Sequence, residues 1–179
     1  MRYTPVVLFA SLLTLVVIPG RSAASQDVTF LGFTTSVPAG WTAKTPSSRM
    51  RLAEYDTPAV RDTVANVVVY FFGEGQGGSA DANLKRWKGQ FSNPDGSPVS
   101  EQVQHLTDGP FPITVASYRG TYARGIGAGS SAADARPNQE LVAAVVETPK
   151  GTLFFQLYGP FAAVDAQRDG YLAFVRGLK

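Results

Sequence analysis

Apolar residues along this chain follow two rhythms. From Val67 to Phe72, from Leu141 to Glu147 and from Leu153 to Tyr158 large side chains occupy both odd and even positions; Leu153, Phe155 and Leu157 alternate with Phe154 and Tyr158. A strand apolar on both alternating faces has to be covered on both. Ile113–Tyr122 alternates as a further strand, and shorter strands are predicted over Val28–Phe33 with Thr35–Val37 and over Met50–Tyr55. Val99–Leu106 has strand character but is polar, so it is expected to be exposed. The second rhythm is helical. Leu84, Trp87 and Phe91 recur three and then four residues apart, predicting a buried helical stripe, with Asn83, Arg86 and Gln90 forming a polar stripe one residue earlier. Val164, Arg168, Tyr171, Leu172, Val175 and Leu178 trace one face of a second helix over Phe161–Leu178. Arg168 alone interrupts that face, and its stem can lie along apolar surface while its head reaches water.

The connections sharpen the picture. Thr148-Pro149-Lys150-Gly151 suits a tight turn and joins its flanking strands as an antiparallel hairpin. Between Val67–Phe72 and the first helix lies the Gly-rich turn Gly73–Gly78, followed by Ser79 as an N-cap, Asp81 at the positive helix end and an Asp81/Lys85 pair. Arg124–Asn138 has almost no large apolar residue and is expected to be a loop. Antiparallel strands apolar on both faces, with two helices to cover them, predict an α+β fold. The expected form is a single-domain α/β/α sandwich around an antiparallel β-sheet, with a roll covered on one face as the alternative.

Composition changes this picture in two places. Met1–Ala24 has the make-up of a secretory signal peptide: Arg2, an apolar stretch from Pro5 to Ile18, then Pro19-Gly20 and small residues at Ser22 and Ala24. That apolar stretch is 14 residues, shorter than the roughly 20 that a spanning helix needs. The expected product is residues 25–179, secreted or periplasmic, with no stable membrane insertion. Cleavage would take Arg2 and Arg21 from the 16 basic residues and leave 14 against 14 acidic ones. With Lys85-Arg86-Lys88 the only basic cluster, a nucleic-acid partner is not expected. The chain has no Cys and one histidine, His105, so thiol chemistry, disulfides and multi-histidine metal sites are excluded within one chain.

Several motifs resemble those of a family of uncharacterised secreted bacterial proteins. They are Val37-Pro38-x-Gly40-Trp41, Ser47-Ser48-x-Met50-Arg51, Gly75-Gln76-Gly77-Gly78-Ser79, Asn83–Phe91 with Arg86-Trp87 and Gln90-Phe91, and Phe154-Phe155 through Gly159-Pro160. The strand order and closing helix resemble the Mog1/PsbP-like fold. Mog1-like proteins bind a small GTPase and PsbP-like proteins assist a photosystem, so the resemblance implies an accessory or binding role and carries no functional residue onto this chain.

The candidate chemistry is correspondingly spare. Gly73-x-Gly75-x-x-Gly78 has the letters of a dinucleotide fingerprint, but Glu74 would face the pyrophosphate and no second buried parallel strand follows. Amides at Gly77, Gly78 and Ser79, with the helix dipole and Arg86, can hold a carboxylate or sulfate. The plainer role of the same residues is to permit the turn and cap the helix. Asn83, Arg86 and Gln90 can bind a ligand or fasten neighbouring loops. The expected site is therefore Gly77, Gly78, Ser79, Asn83, Arg86 and Gln90, with no cofactor and no metal, taking an unknown protein or small-molecule ligand. A hydrolase or lyase using His105 or carboxylates, and a structural envelope protein, are the alternatives.

Overall fold

The computed structural model describes residues 25–123 and 135–179; the expected signal segment and most of the Gly/Ala-rich loop lie outside the described residues. The elements are β1 (Gln26–Phe30), β2 (Phe33–Val37), β3 (Thr42–Lys44), β4 (Arg51–Asp56), β5 (Asn66–Tyr70), α1 (Ala80–Lys88), β6 (Phe91–Ser92), β7 (Ser100–Leu106), β8 (Ile113–Tyr122), β9 (Arg136–Thr148), β10 (Gly151–Pro160) and α2 (Phe161–Arg176). The main sheet runs β3-β4-β5-β10-β9-β8, and the outer edge of β8 carries both β7 and β6. Every neighbouring pair in it is antiparallel.

The apolar pattern explains the layers. Val67, Val69, Val142, Ala144, Val146, Leu153, Phe155 and Leu157 face one side and are buried beneath Val164, Tyr171, Phe174 and Val175 of α2. The intervening residues Leu141, Ala143, Val145 and Phe154 face the other side, under Leu84 and Trp87 of α1. The expected α+β sandwich with a helix on each face is the observed architecture. The first two strands do not join the main sheet. They form a separate hairpin, β1-β2, that adds Phe30 and Val37 to the core on the α2 side.

Aromatic contacts hold that side together. The Phe174 ring lies 5.5 Å from Trp41, 5.6 Å from Phe155 and 6.2 Å from both Phe30 and Tyr55. Such edge-to-face pairs add to the stabilisation from burial. The Phe174 carbonyl also accepts a 2.6 Å hydrogen bond from Thr35 Oγ1.

Three local expectations are corrected. The first helix stops at Lys88, with Gly89 as its C-cap, so Phe91 does not belong to a helical stripe. Phe91 starts β6 and pairs with Tyr122, reaching the same core from an extended backbone because Gln90 O accepts from Ala123 N at 2.9 Å. Arg136–Asn138, expected in a loop, opens β9. Ladder pairing with β8, including Tyr122↔Arg136, overrides a composition poor in apolar residues. The Arg168 head does not simply reach water. It donates to Glu140, whose side chain is only 1% exposed, because Glu140 lies on the α2 side of β9 directly under that helix.

Replacing Phe174 by Ala should cost about 3–5 kcal/mol of unfolding free energy, measured by urea titration. A loss under about 1 kcal/mol would show that the docking of β1-β2 and α2 does not depend on this ring.

Candidate functional site

The predicted site residues fall on the α1 side of the sheet, where β5 leaves the core and the chain turns into α1. Gly77 takes φ +95° and packs so closely that a Cβ there would sit 2.6 Å from Phe154 Cε2 and 3.0 Å from Phe72 Cδ2. Glycine at 77 is therefore required by both backbone conformation and space. Ser79 caps the helix, its Oγ accepting from Ala82 N at 3.2 Å.

Asn83 ties the turn to the helix. It is 1% exposed; its Nδ2 donates to the Gly77 carbonyl at 2.8 Å and to the Ser79 carbonyl at 2.9 Å, and its Oδ1 accepts from Arg86 Nη2 at 2.5 Å. Both ends of the amide are thus engaged, one on the turn and one on Arg86. The contact fixes part of the Arg86 guanidinium while the side chain stays exposed, and no acidic residue pairs with Arg86 among the described residues.

Arg86 and Gln90 reach a cleft of about 290 Å³. Its walls are aromatic, built from Tyr70, Phe72, Trp87, Tyr122 and Phe154, with Gln156 of β10 as a further polar group. Tyr70 and Phe72 stack with their rings 5.9 Å apart and 6° from parallel, while Phe154 meets Phe72 and Trp87 edge-on at 5.4 and 6.4 Å. Behind the cleft, Tyr118 OH donates to the Leu84 carbonyl at 3.1 Å. Burial, reinforced by the nearby Glu101 charge, pushes that phenol well above its ordinary pKa and keeps it neutral.

The structure thus brings Arg86 and Gln90 into one cleft and sets Gly77, Ser79 and Asn83 behind them as the support of the turn; Gly78 lies in the same turn at φ +80°. Of the remaining lining, sequence reasoning missed Tyr70, Phe72, Phe154 and Gln156. Gln156, a polar residue within the apolar run of β10, was the available signal, since a strand covered on both faces rarely holds an amide without reason.

The other candidates stand apart. His105 lies on the exposed β7 opposite Thr114, whose Oγ1 is 3.1 Å from its Nδ1, and it does not line this cleft. The Gly-rich motif follows a strand flanked only by antiparallel neighbours, which is not the βαβ setting of a dinucleotide fold. Among the described residues no three His, Cys, Asp or Glu side chains gather as a metal would need, and no helix is long and apolar enough to cross a membrane.

No family model matches the chain, and no curated protein matches its sequence. Among solved structures, the solution structure of cyanobacterial PsbP (CyanoP) from Synechocystis sp. PCC 6803 superposes with a TM-score of 0.55 at 13% identity. The match covers 92% of this chain and 98% of that one. The fold is PsbP-like. At this identity the likeness is one of architecture and assigns no residue a role.

Gly77→Ala should destabilise the protein by about 3 kcal/mol, combining left-handed strain with overpacking against Phe154. Gly75→Ala, at φ +68° with nothing within 4 Å of a Cβ, should cost only about 1 kcal/mol. Thermal melts of the pair test whether the Phe154 contact, and not backbone conformation alone, sets the difference.

Proposed function

We propose that this chain is an exported, non-enzymatic binding or accessory protein whose α1-side cleft receives a carboxylate carried by a partner protein or small ligand. The observation that carries the reading is Arg86: an exposed guanidinium, oriented by a buried Asn83, with no acidic partner among the described residues, at the mouth of an aromatic-walled cleft. A guanidinium presents several N–H donors in a planar fork, so one bonded to Asn83 leaves others to meet a carboxylate. The stacked Tyr70 and Phe72 offer a flat apolar surface beside it, and Gln90 and Gln156 supply amides that discriminate among occupants. A preformed pocket with apolar walls and few convergent polar groups is the usual form of a ligand site.

The PsbP-like fold supports an accessory role over a catalytic one. Export rests on the signal-like composition of residues 1–24. A hydrolase built on His105 draws no support from an imidazole on an exposed strand, bonded to a threonine. The amides of Gly77, Gly78 and Ser79 belong to this proposal as the rear of the site, with Asn83 as its positioning residue.

Benzoate, a carboxylate on a flat ring, serves as the probe. Titrated into the protein produced from the full chain in an exporting host, it should shift the Trp87 indole and Gln90 amide signals in NMR spectra. Arg86→Ala should weaken that response about tenfold while the melting temperature stays within a few degrees. Equal responses from the two proteins, or no response from the wild type, would overturn the assignment.

A further inference from the structure

The two ends of the main sheet are finished differently. At one end β3 is three residues long and carries Lys44, Pro46 follows closely, and the register of the neighbouring β4 shifts between Arg51 and Ala53. Short strands, lysine, proline and bulges are the devices that keep a sheet edge from pairing with another chain. At the other end β7 has none of them. Its seven residues, SEQVQHL, pair with β8 in unbroken register from Ser100↔Arg119 to Leu106↔Ile113, and six of the seven are exposed. Among the described residues β8 is the only strand beside it, and no loop bonds to its backbone. The strand therefore turns roughly 24 Å of unpaired backbone donors and acceptors outward.

The side chains narrow what this edge accepts. Ser100, Gln102 and Gln104 line a cleft of about 270 Å³ on the α2 side. Glu101, Val103 and His105 take the α1 side, where Glu101 Oε2 accepts from Lys88 Nζ at 2.5 Å. Val103 is 42% exposed, an apolar centre in a polar strand. The residues about it are arranged alike in both directions: a glutamine on each side, then Glu101 one way and His105 the other.

Two copies of β7 laid antiparallel, with Val103 opposite Val103, put Gln102 opposite Gln104 and Glu101 opposite His105, each contact made twice. Opposite residues in such a pair have Cβ atoms about 4.5–5.5 Å apart. The exposed valines then cover each other, amide meets amide, and imidazole meets carboxylate. His105 Nδ1 lies 3.1 Å from Thr114 Oγ1, so Nε2 is the nitrogen left for that carboxylate. With the imidazole neutral, Lys88 offsets Glu101, and two such edges do not repel. A shift of two residues, the smallest that keeps the faces of the two sheets aligned, would set Val103 against Glu101 or His105. The pattern thus matches one register of one partner, the strand itself.

We infer that β7 is a self-association edge, through which a second copy of this chain pairs antiparallel about a two-fold axis at Val103 and continues the sheet across both molecules. The inference is independent of the Arg86 cleft, none of whose lining belongs to β7.

The test is light scattering on the protein produced from the full chain in an exporting host, over about 5–500 µM. The mass should rise with concentration from one chain to two and stop there, and hydrogen exchange of the β7 amides should slow over the same range. Val103→Lys and Val103→Glu, at an exposed position, each set like charges opposite one another and should weaken the association about tenfold. Mixed in equal amounts, the two variants should recover the dimer, because a two-fold axis at residue 103 sets Lys opposite Glu. Met50→Lys, at an exposed side chain near the other end of the sheet, should leave the association unchanged. A single-chain mass throughout overturns the inference and leaves the edge to a strand of another protein. Growth beyond two chains, a dimer that survives both substitutions, or a mixture of folded variants that stays monomeric overturns it too. If the variants fail to fold, β7 exchange in the wild type that does not change with concentration overturns it alone.

Discussion

Burial of one antiparallel sheet on both faces is the constraint from which the rest of this structure follows. Val67, Val69, Leu153, Phe155 and Leu157 are fully excluded from water on one side, and Leu141, Ala143, Val145 and Phe154 are at most 2% exposed on the other. Removing apolar surface from water stabilises by about 25 cal/mol per Å², so neither face can be left bare. Two covers of different construction meet the demand. The α2 helix and the β1-β2 hairpin share one face, and α1 takes the other, where Phe91 of the edge strand β6 joins the core.

The unequal lengths of these covers decide where clefts form. A nine-residue α1 spans roughly 14 Å at 1.5 Å per residue, whereas the ten-residue β10 spans roughly 33 Å. The aromatic residues beyond the reach of α1, Tyr70, Phe72 and Tyr122, therefore become the walls of an open pocket. On the other face the 16-residue α2 lies over β9 and β10 and leaves the β7 corner uncovered. Polar residues accumulate at both margins. Each margin then has a charged group held by a buried partner: Arg86 by Asn83, and Arg119 with Arg168 by Glu140. Open clefts in this fold are thus a by-product of where its core stops, placed on opposite sides of one sheet.

Much of the architecture was legible from side-chain periodicity. The period-two runs on both faces required a doubly covered sheet, Pro149 and Gly151 marked the β9-β10 hairpin, and the stripe from Val164 to Val175 marked α2. The misreadings share one cause. Phe91 continued a helical spacing by coincidence, because a strand that returns to the same core places its first apolar residue where a helix would have placed its next. Arg136–Asn138 had no apolar signal and became strand through pairing with β8, a partner distant in the chain. The site was legible only in part. Asn83, Arg86 and Gln90 stood out as a polar stripe, but the division of labour among them depends on hydrogen bonds across the turn.

Local chemistry by itself determined which segments bury their side chains, where glycine and serine end one element and start the next, and that no thiol or multi-histidine chemistry exists within the chain. Those properties depend on neighbours a few residues away, and a sequence records them directly. Tertiary structure alone decided that Arg168 of α2 and Arg119 of β8 converge on Glu140 of β9, that Gln156 and Arg86 line one cleft, and that β1-β2 stands apart from the main sheet. These meetings join residues separated by dozens of positions. Strand order and register set them, and a single chain's periodicity carries no information about which strand lies beside which.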